Sequence, residues 1–244
     1  MTRRTPPRAA TRERVAALGP FFAYSAAGGD APWRSMGELL DDPAVLRDRV
    51  DGVRNHLATA GGQPPEAVEL RVAASVAHLG LVARLISPAF AIAVLDGAVL
   101  RYSLRELHWQ PTLGGAFPLA LPDRDAEPAD SPAEALAAQL LDGPVRELAA
   151  VMGRFSVSPK ILRGNAASAV NGAVAAIAWS APELAAPARA LATALLTRPP
   201  LLGAASHAPD GSAFRRRSCC LIYRAAPGRS GALCGDCVLA GDRR

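Results

Sequence analysis

The chain has 244 residues and a net charge of +5; half of its residues are hydrophobic, but only 5% are aromatic. Abundant alanine with few aromatic side chains favours closely packed helices over a β-sandwich. Lys160 is the only lysine, and arginines alternate with acidic residues through residues 41–71, whereas nucleic-acid-binding proteins concentrate their cations on one stripe. The composition therefore predicts a mainly α protein and argues against nucleic-acid binding.

The first 14 residues contain five arginines and lack the apolar core of a secretory signal, so we expect a flexible arm on a cytoplasmic protein. A peripheral contact of this segment with the anionic inner face of a membrane is the alternative. The longest uncharged stretch, residues 164–182, holds too many Asn, Ser and Ala residues to insert stably into a bilayer. We therefore expect no segment of the chain to span a membrane.

Start and stop signals divide most of the body into helices. Asp42 can cap a helix that begins at Pro43, and the glycines at 61 and 62 end it. Ser158 precedes a proline in the same way and begins a helix rich in alanine. The predicted helices cover residues 43–60, 64–85, 88–96, 131–142, 145–152, 158–178 and 180–196.

The remaining segments predict a small amount of β structure and a change of composition near the end. Residues 99–104 and 107–109 predict a β-hairpin, and residues 117–121 a short strand within a loop rich in Pro and Gly. A linker rich in Gly, Ser and Pro then precedes a segment rich in Arg and Cys. We expect a helical body over residues 1–210, with its flexible arm over 1–14, and a short C-terminal module over 211–244.

All four cysteines lie in this C-terminal module, at Cys219, Cys220, Cys234 and Cys237. Cys234 and Cys237 have the two-residue gap at which a turn directs both sulfurs to one metal. Adjacent cysteines make a poor zinc knuckle, but they can reach a two-iron cluster, which needs two thiolates on each iron. The pattern favours an iron–sulfur centre over zinc, with a disulfide pair or redox-active thiols as further alternatives.

Arginines surround the cysteines along the sequence, at Arg215, Arg216, Arg217, Arg224 and Arg229. Guanidinium groups near an anionic cluster would stabilise its reduced state, raise its reduction potential, or receive an anionic partner. The alternative is a solvated basic tail. The four histidines, in contrast, are widely spaced, and each is expected to be a surface or packed imidazole.

The sequence of this module resembles the C-terminal signature of the ferric siderophore reductase family typified by FhuF. The resemblance lies in Arg-Arg-Ser-Cys-Cys-Leu-Ile-Tyr-Arg at residues 216–224 and Leu-Cys-Gly-Asp-Cys at residues 233–237, and looser similarity extends to residues 72–75 and 162–168. It implies that Cys219, Cys220, Cys234 and Cys237 bind one 2Fe-2S cluster per chain. Thirteen residues separate the two cysteine pairs where the family has ten, with the extra length at residues 225–232.

The resemblance also implies the one-electron reduction of a ferric siderophore, which is the substrate, to release ferrous iron. The electron would come from an external donor, since the chain has no nucleotide-binding fingerprint. Arg154, Lys160, Arg163 and Asn165 could contribute to the docking face, and no catalytic residue is predicted beyond the cluster itself. A zinc-braced binding protein and a protein that binds siderophores without reducing them are the alternatives.

Overall fold

A computed structural model describes residues 8–26, 32–207 and 214–241 of the chain. The α-helices are α1 (Arg8–Ala16), α2 (Glu38–Asp41), α3 (Pro43–Ala60), α4 (Leu70–Asp96), α5 (Pro132–Leu136), α6 (Arg146–Met152), α7 (Pro159–Ser180) and α8 (Ala185–Leu196). The strands are β1 (Ser25–Ala26), β2 (Arg34–Ser35), β3 (Ala98–Val99), β4 (His108–Trp109), β5 (Leu119–Leu121), β6 (Glu127–Pro128), β7 (Ala205–His207) and β8 (Phe214–Arg216). The prediction of a mainly α protein with little β structure is confirmed.

The capping signals located two helices correctly. Asp42 accepts a hydrogen bond from the Ala44 amide (2.8 Å) at the start of α3, and the helix ends at Ala60 as predicted. Ser158 accepts from the Lys160 amide (3.3 Å) at the start of α7. A side chain that satisfies a free amide of the first turn fixes where a helix begins, and this interaction is local enough to be read from sequence.

The central helix, α4, is longer than the sequence predicted. It continues through Pro88, where we expected a break, and joins the two helices predicted for residues 64–85 and 88–96. A proline inside a helix costs about 3 kcal/mol, but the residues around this one are buried against the rest of the core, and their packing outweighs that cost. By length and hydropathy α4 could span a membrane; in the structure, 72% of its most apolar window is buried inside the protein.

The predicted hairpin of residues 99–104 with 107–109 is wrong. β3 pairs instead with β6, and β4 lies between β5 and β2 in a small sheet of order β1-β5-β4-β2. Trp109 is 1% exposed and meets the ring of Phe117 edge-on, with 5.3 Å between ring centroids. Burial of this aromatic pair favours the pairing of β4 with β5. A prediction based on local turn signals cannot detect such a contact between distant parts of the chain.

The N-terminal arm and the segments on either side of residue 210 make contacts that the sequence did not predict. Residues 1–7 of the predicted flexible arm lie outside the described residues, whereas from Arg8 the chain is helical and Thr11 and Arg14 bond to Asp96 of α4 (3.1 and 2.7 Å). At the other end, β7 and β8 pair across the boundary expected at residue 210. The division into body and module stays a prediction, and the described part of the module is joined to the body by this ladder.

Candidate metal centre

Two loops that follow β8 bring the four cysteines together. Cys219 and Cys220 stand three and four residues after β8, and Leu221 then reverses the chain with a positive φ of 70°. This conformation is costly for a leucine, but it lets the Leu221 amide donate to the Cys219 sulfur at 3.3 Å. Cys234 and Cys237 flank a second turn, and the Leu239 amide donates to the Cys237 sulfur at 3.4 Å in the same way.

The two loops meet at their sulfurs. The Cys220 and Cys234 sulfurs are 3.4 Å apart. Burial raises the pKa of the Cys219 thiol, and the nearby Cys220 and Cys237 add to the increase. All four are free thiols. Within the ranges that the structure describes, no three His, Cys, Asp or Glu side chains converge on a single point as a site for one metal ion.

One cysteine of each pair is buried and the other reaches the surface. Cys220 and Cys237 are 1% and 2% exposed, whereas Cys219 and Cys234 are partly exposed. The hydrogen bond between the Cys220 and Cys234 sulfurs, together with backbone amides and the charge of Arg216, lowers the pKa of Cys220 to about 6. A thiol with a lowered pKa is readily deprotonated and suited to binding iron.

The module can approach α7 closely because Gly164 has no side chain. A Cβ placed at Gly164 would lie 2.9 Å from the Arg216 Nη2 atom and would also collide with the Ser218 hydroxyl. Ser218 donates to the Lys160 carbonyl oxygen at 2.9 Å, one turn earlier in the helix. This contact presses the chain just before Cys219 onto the helix backbone.

Asp236 fixes the second cysteine loop to the same helix. Its two carboxylate oxygens accept hydrogen bonds from the Ser168 hydroxyl (2.8 Å) and the Asn171 amide (3.1 Å). Its backbone carbonyl accepts from the Arg216 amide at 3.0 Å. Asn171 therefore anchors the turn between Cys234 and Cys237.

A buried chain of polar groups links the body to the first cysteine loop. Arg216 donates to the Asn165 side-chain oxygen (2.7 Å), and the Asn165 amide donates to the Ser75 carbonyl (2.9 Å). The Ser75 hydroxyl in turn donates to the Cys220 carbonyl at 2.8 Å. The Asn165 amide also contacts His78 Nδ1 at 3.3 Å. Sequence reasoning gave no role to Ser75 or His78, although residues 72–75 and 162–168 were the body segments with family similarity.

The extra residues between the cysteine pairs form a closed surface turn. Residues 227–230 are exposed. The Gly231 amide donates to the Tyr223 carbonyl at 2.9 Å, and this hydrogen bond joins the two ends of the turn. A Cβ at Gly231 would lie 2.9 Å from that carbonyl oxygen. Glu69 of α4 pairs with Arg224 and Arg229 on this turn (2.6 and 3.3 Å). The longer interval is thus accommodated away from the sulfurs, as a flexible loop permits.

Two clefts flank the cysteines. One, of about 210 Å³, is lined by Lys160, Arg163, Arg217 and Ser218 and lies beside Cys219; we call it the cationic cleft. The other, of about 310 Å³, is mostly apolar, runs between α4 and α7, and includes Cys234 and Asp236 in its wall. Each partly exposed cysteine therefore lies at or next to a cleft. The other two candidates for the docking face line neither cleft: Arg154 is exposed, and Asn165 is fully buried.

The close approach at Gly164 generates a prediction with a control on the same helix. Gly164→Ala should lower the free energy of unfolding by roughly 1–3 kcal/mol, because its methyl group collides with the module, and should reduce the iron content per chain. Gly172→Ala, whose methyl group would meet nothing within 4 Å, should be neutral or stabilising by up to about 1 kcal/mol. Chemical denaturation and iron analysis of both variants test this. Equal effects would contradict the close packing.

Burial of His78 predicts a pH dependence of stability. Burial and then the charge of Arg216 lower the pKa of His78 to about 3. In the unfolded chain the pKa of the imidazole is about 6.5. Below that pH the unfolded state therefore binds a proton that the folded state does not bind. His78 should therefore reduce stability by up to about 1.4 kcal/mol for each pH unit as the pH falls from about 6.5 towards 3.

The matched variant is His78→Asn, whose side-chain oxygen can still accept from Asn165. The difference in free energy of unfolding between the two proteins, measured at several pH values, isolates the histidine from every other titrating group. The stability of the wild type relative to the variant should decline as the solution is acidified. A difference that stays constant with pH would show that His78 titrates normally.

The four sulfurs, the amides that donate to them and the nearby buried guanidinium fit an anionic cluster held by thiolates. A family model described as the FhuF 2Fe-2S C-terminal domain matches residues 216–239, which include all four cysteines. No curated protein shows significant similarity to the chain. The match confirms the resemblance that the cysteine motif predicted. It also confirms the prediction of a 2Fe-2S cofactor, which followed from that resemblance. Residues 216–239 are therefore similar to the FhuF 2Fe-2S C-terminal domain, and the four clustered cysteines support a 2Fe-2S cluster.

Proposed function

We propose that this protein is a ferric siderophore reductase, which accepts one electron from an external donor and passes it to a docked ferric chelate. The 2Fe-2S domain with two partly exposed cysteines is the observation that supports this function. A 2Fe-2S cluster takes up and releases one electron at a time, which is the change that converts ferric to ferrous iron. The hard oxygen donors of a siderophore bind ferrous iron more weakly, so reduction releases the metal.

We further propose that Cys219, Cys220, Cys234 and Cys237 are the four ligands. The 3.4 Å contact between the Cys220 and Cys234 sulfurs, which belong to different loops, supports this assignment, because the two loops must together supply four thiolates to one 2Fe-2S cluster. The backbone amides of Leu221 and Leu239 then stabilise the negative charge on sulfur. The residues around them orient the two loops and exclude water from the buried side.

The cationic cleft is the proposed docking site for the chelate. Lys160, Arg163 and Arg217 form no ion pair within the described residues, so their charges are available to a ligand. The cleft borders Ser218, the residue immediately before the partly exposed Cys219. Such a site would favour a ferric chelate that carries negative charge. The proposed place of action is the cytoplasm. Of the N-terminal segment considered for membrane contact, residues 1–7 lie outside the described residues.

The ligand assignment is tested by substitution of each cysteine in turn. Each Cys→Ser variant should lose most of its iron and the rhombic spin-half signal that the dithionite-reduced wild type should give in electron paramagnetic resonance. Ser218→Ala, next to the first pair, should retain both. A cysteine variant with unchanged iron content and spectrum would remove that residue from the ligand set. Zinc in place of iron in wild-type protein purified anaerobically would favour the zinc-braced alternative.

The reductase activity is tested by rapid anaerobic mixing of the reduced protein with ferric siderophores of negative and neutral charge. The visible absorbance of the oxidised cluster should return while a ferrous-specific dye reports released iron. Replacement of Lys160, Arg163 and Arg217 by Gln should slow the reaction of the anionic chelate at least tenfold at low salt and the neutral one far less. Arg189→Gln, an exposed cation on α8, is the control. Binding without reoxidation by any chelate would leave a siderophore-binding protein.

A further inference from the structure

Arg216 differs from the other arginines around the cysteines in its burial. It is 1% exposed, whereas Arg215, Arg217 and Arg229 are exposed and Arg224 pairs with Glu69. It ends β8, three residues before Cys219. A fully buried guanidinium is rare, because removal of a cation from water is expensive unless a negative charge faces it.

No carboxylate supplies that negative charge in the described part of the chain. The Arg216 Nη2 atom donates to Asn165 (2.7 Å) and to the Ile161 carbonyl (3.3 Å), while Nε and Nη1 have no hydrogen-bond partner. Asp236 is a neighbour, but its carboxylate accepts from Ser168 and Asn171, and only its backbone carbonyl meets Arg216. Among the described residues, this buried cation thus has two nitrogens, with three N–H groups between them, that lack an acceptor, and it has no counter-ion.

The position of Arg216 places this cation between the two cysteine loops. Its backbone amide is bonded to Asp236, inside the loop of Cys234 and Cys237. Its guanidinium is tied through Asn165 and Ser75 to the carbonyl of Cys220 in the other loop. Where the structure describes the chain, Arg216 lacks a negative charge beside it. An iron–sulfur cluster bound by the four thiolates would provide that charge.

We infer that Arg216 is the internal counter-ion of the iron–sulfur centre and the positioning residue that sets its reduction potential. Two ferric irons, two sulfides and four thiolates carry a net charge of minus two, and the uptake of one electron makes it minus three. A fixed buried cation stabilises the more negative state, so it raises the reduction potential. Water screens the exposed arginines, which should have little influence. This role requires the cluster but not the reductase activity.

The test compares Arg216→Gln with Arg215→Gln in the holoprotein. Both remove one positive charge within four residues of Cys219, but only the first charge is buried. Anaerobic redox titrations, followed by visible absorbance and electron paramagnetic resonance, give the midpoint potential of each. The midpoint of Arg216→Gln should be lowered several times more than that of Arg215→Gln. Added salt should abolish the small shift of the exposed variant and leave the large one.

Two further variants keep the test decisive if Arg216→Gln assembles no cluster. Arg216→Lys retains the charge and should hold the potential near that of the wild type. Asn165→Asp retains the arginine but places a carboxylate on it. The substitution loses the bond that Asn165 donates to the Ser75 carbonyl, whereas His78 can donate to the new oxygen from Nδ1, because the His78 Nε2 atom has no partner among the described residues. This variant should lower the potential in the same direction as Arg216→Gln. The inference is overturned if neither Arg216→Gln nor Asn165→Asp lowers the midpoint more than Arg215→Gln.

Discussion

Close contact between the cysteine loops and two body helices is the constraint on which the site depends. α4 and α7 pack against each other, and Asn165 of α7 bonds directly to the backbone of α4 at Ser75. The small residues of α7, above all Gly164, let the loops approach the helix backbone. Burial of Cys220 and Cys237 follows from this approach, because short loops of this kind have too little apolar surface to exclude water alone.

Charge balance then couples the fold to its cofactor. The module contributes the thiols and the buried cation Arg216. The body contributes Asn165, which accepts from that cation, and the Ser75 hydroxyl, which donates to the Cys220 carbonyl. A buried guanidinium without a carboxylate is unfavourable in the apoprotein and favourable beside a bound anionic cluster. Cluster binding and the folding of this region are therefore linked, as is common where the ligands of a metal must be brought together. The C-terminal module therefore depends on polar groups of the body to hold its cysteine loops in place.

The distribution of exposure divides the site into an inner and an outer half. The inner half, around Cys220, Cys237 and Arg216, is buried, and hydrogen bonds attach it to α4 and α7. The outer half, around Cys219 and Cys234, borders the cationic cleft and the apolar cleft. In the proposed reductase an electron would come from one partner and pass to another, and two separate clefts would allow both contacts without competition for one surface.

The sequence by itself determined what depends on neighbouring residues: the caps that begin α3 and α7, the cysteine spacing, and through its motif the 2Fe-2S domain. Only the tertiary structure decided that α4 continues through Pro88, that β4 pairs with β5, and that one arginine of five is buried. The reason is distance along the chain. Asn165 lies 51 residues from Arg216, and Ser75 lies 145 residues from Cys220, so no local pattern records their contacts. Those contacts form only when the loops are packed on the two helices.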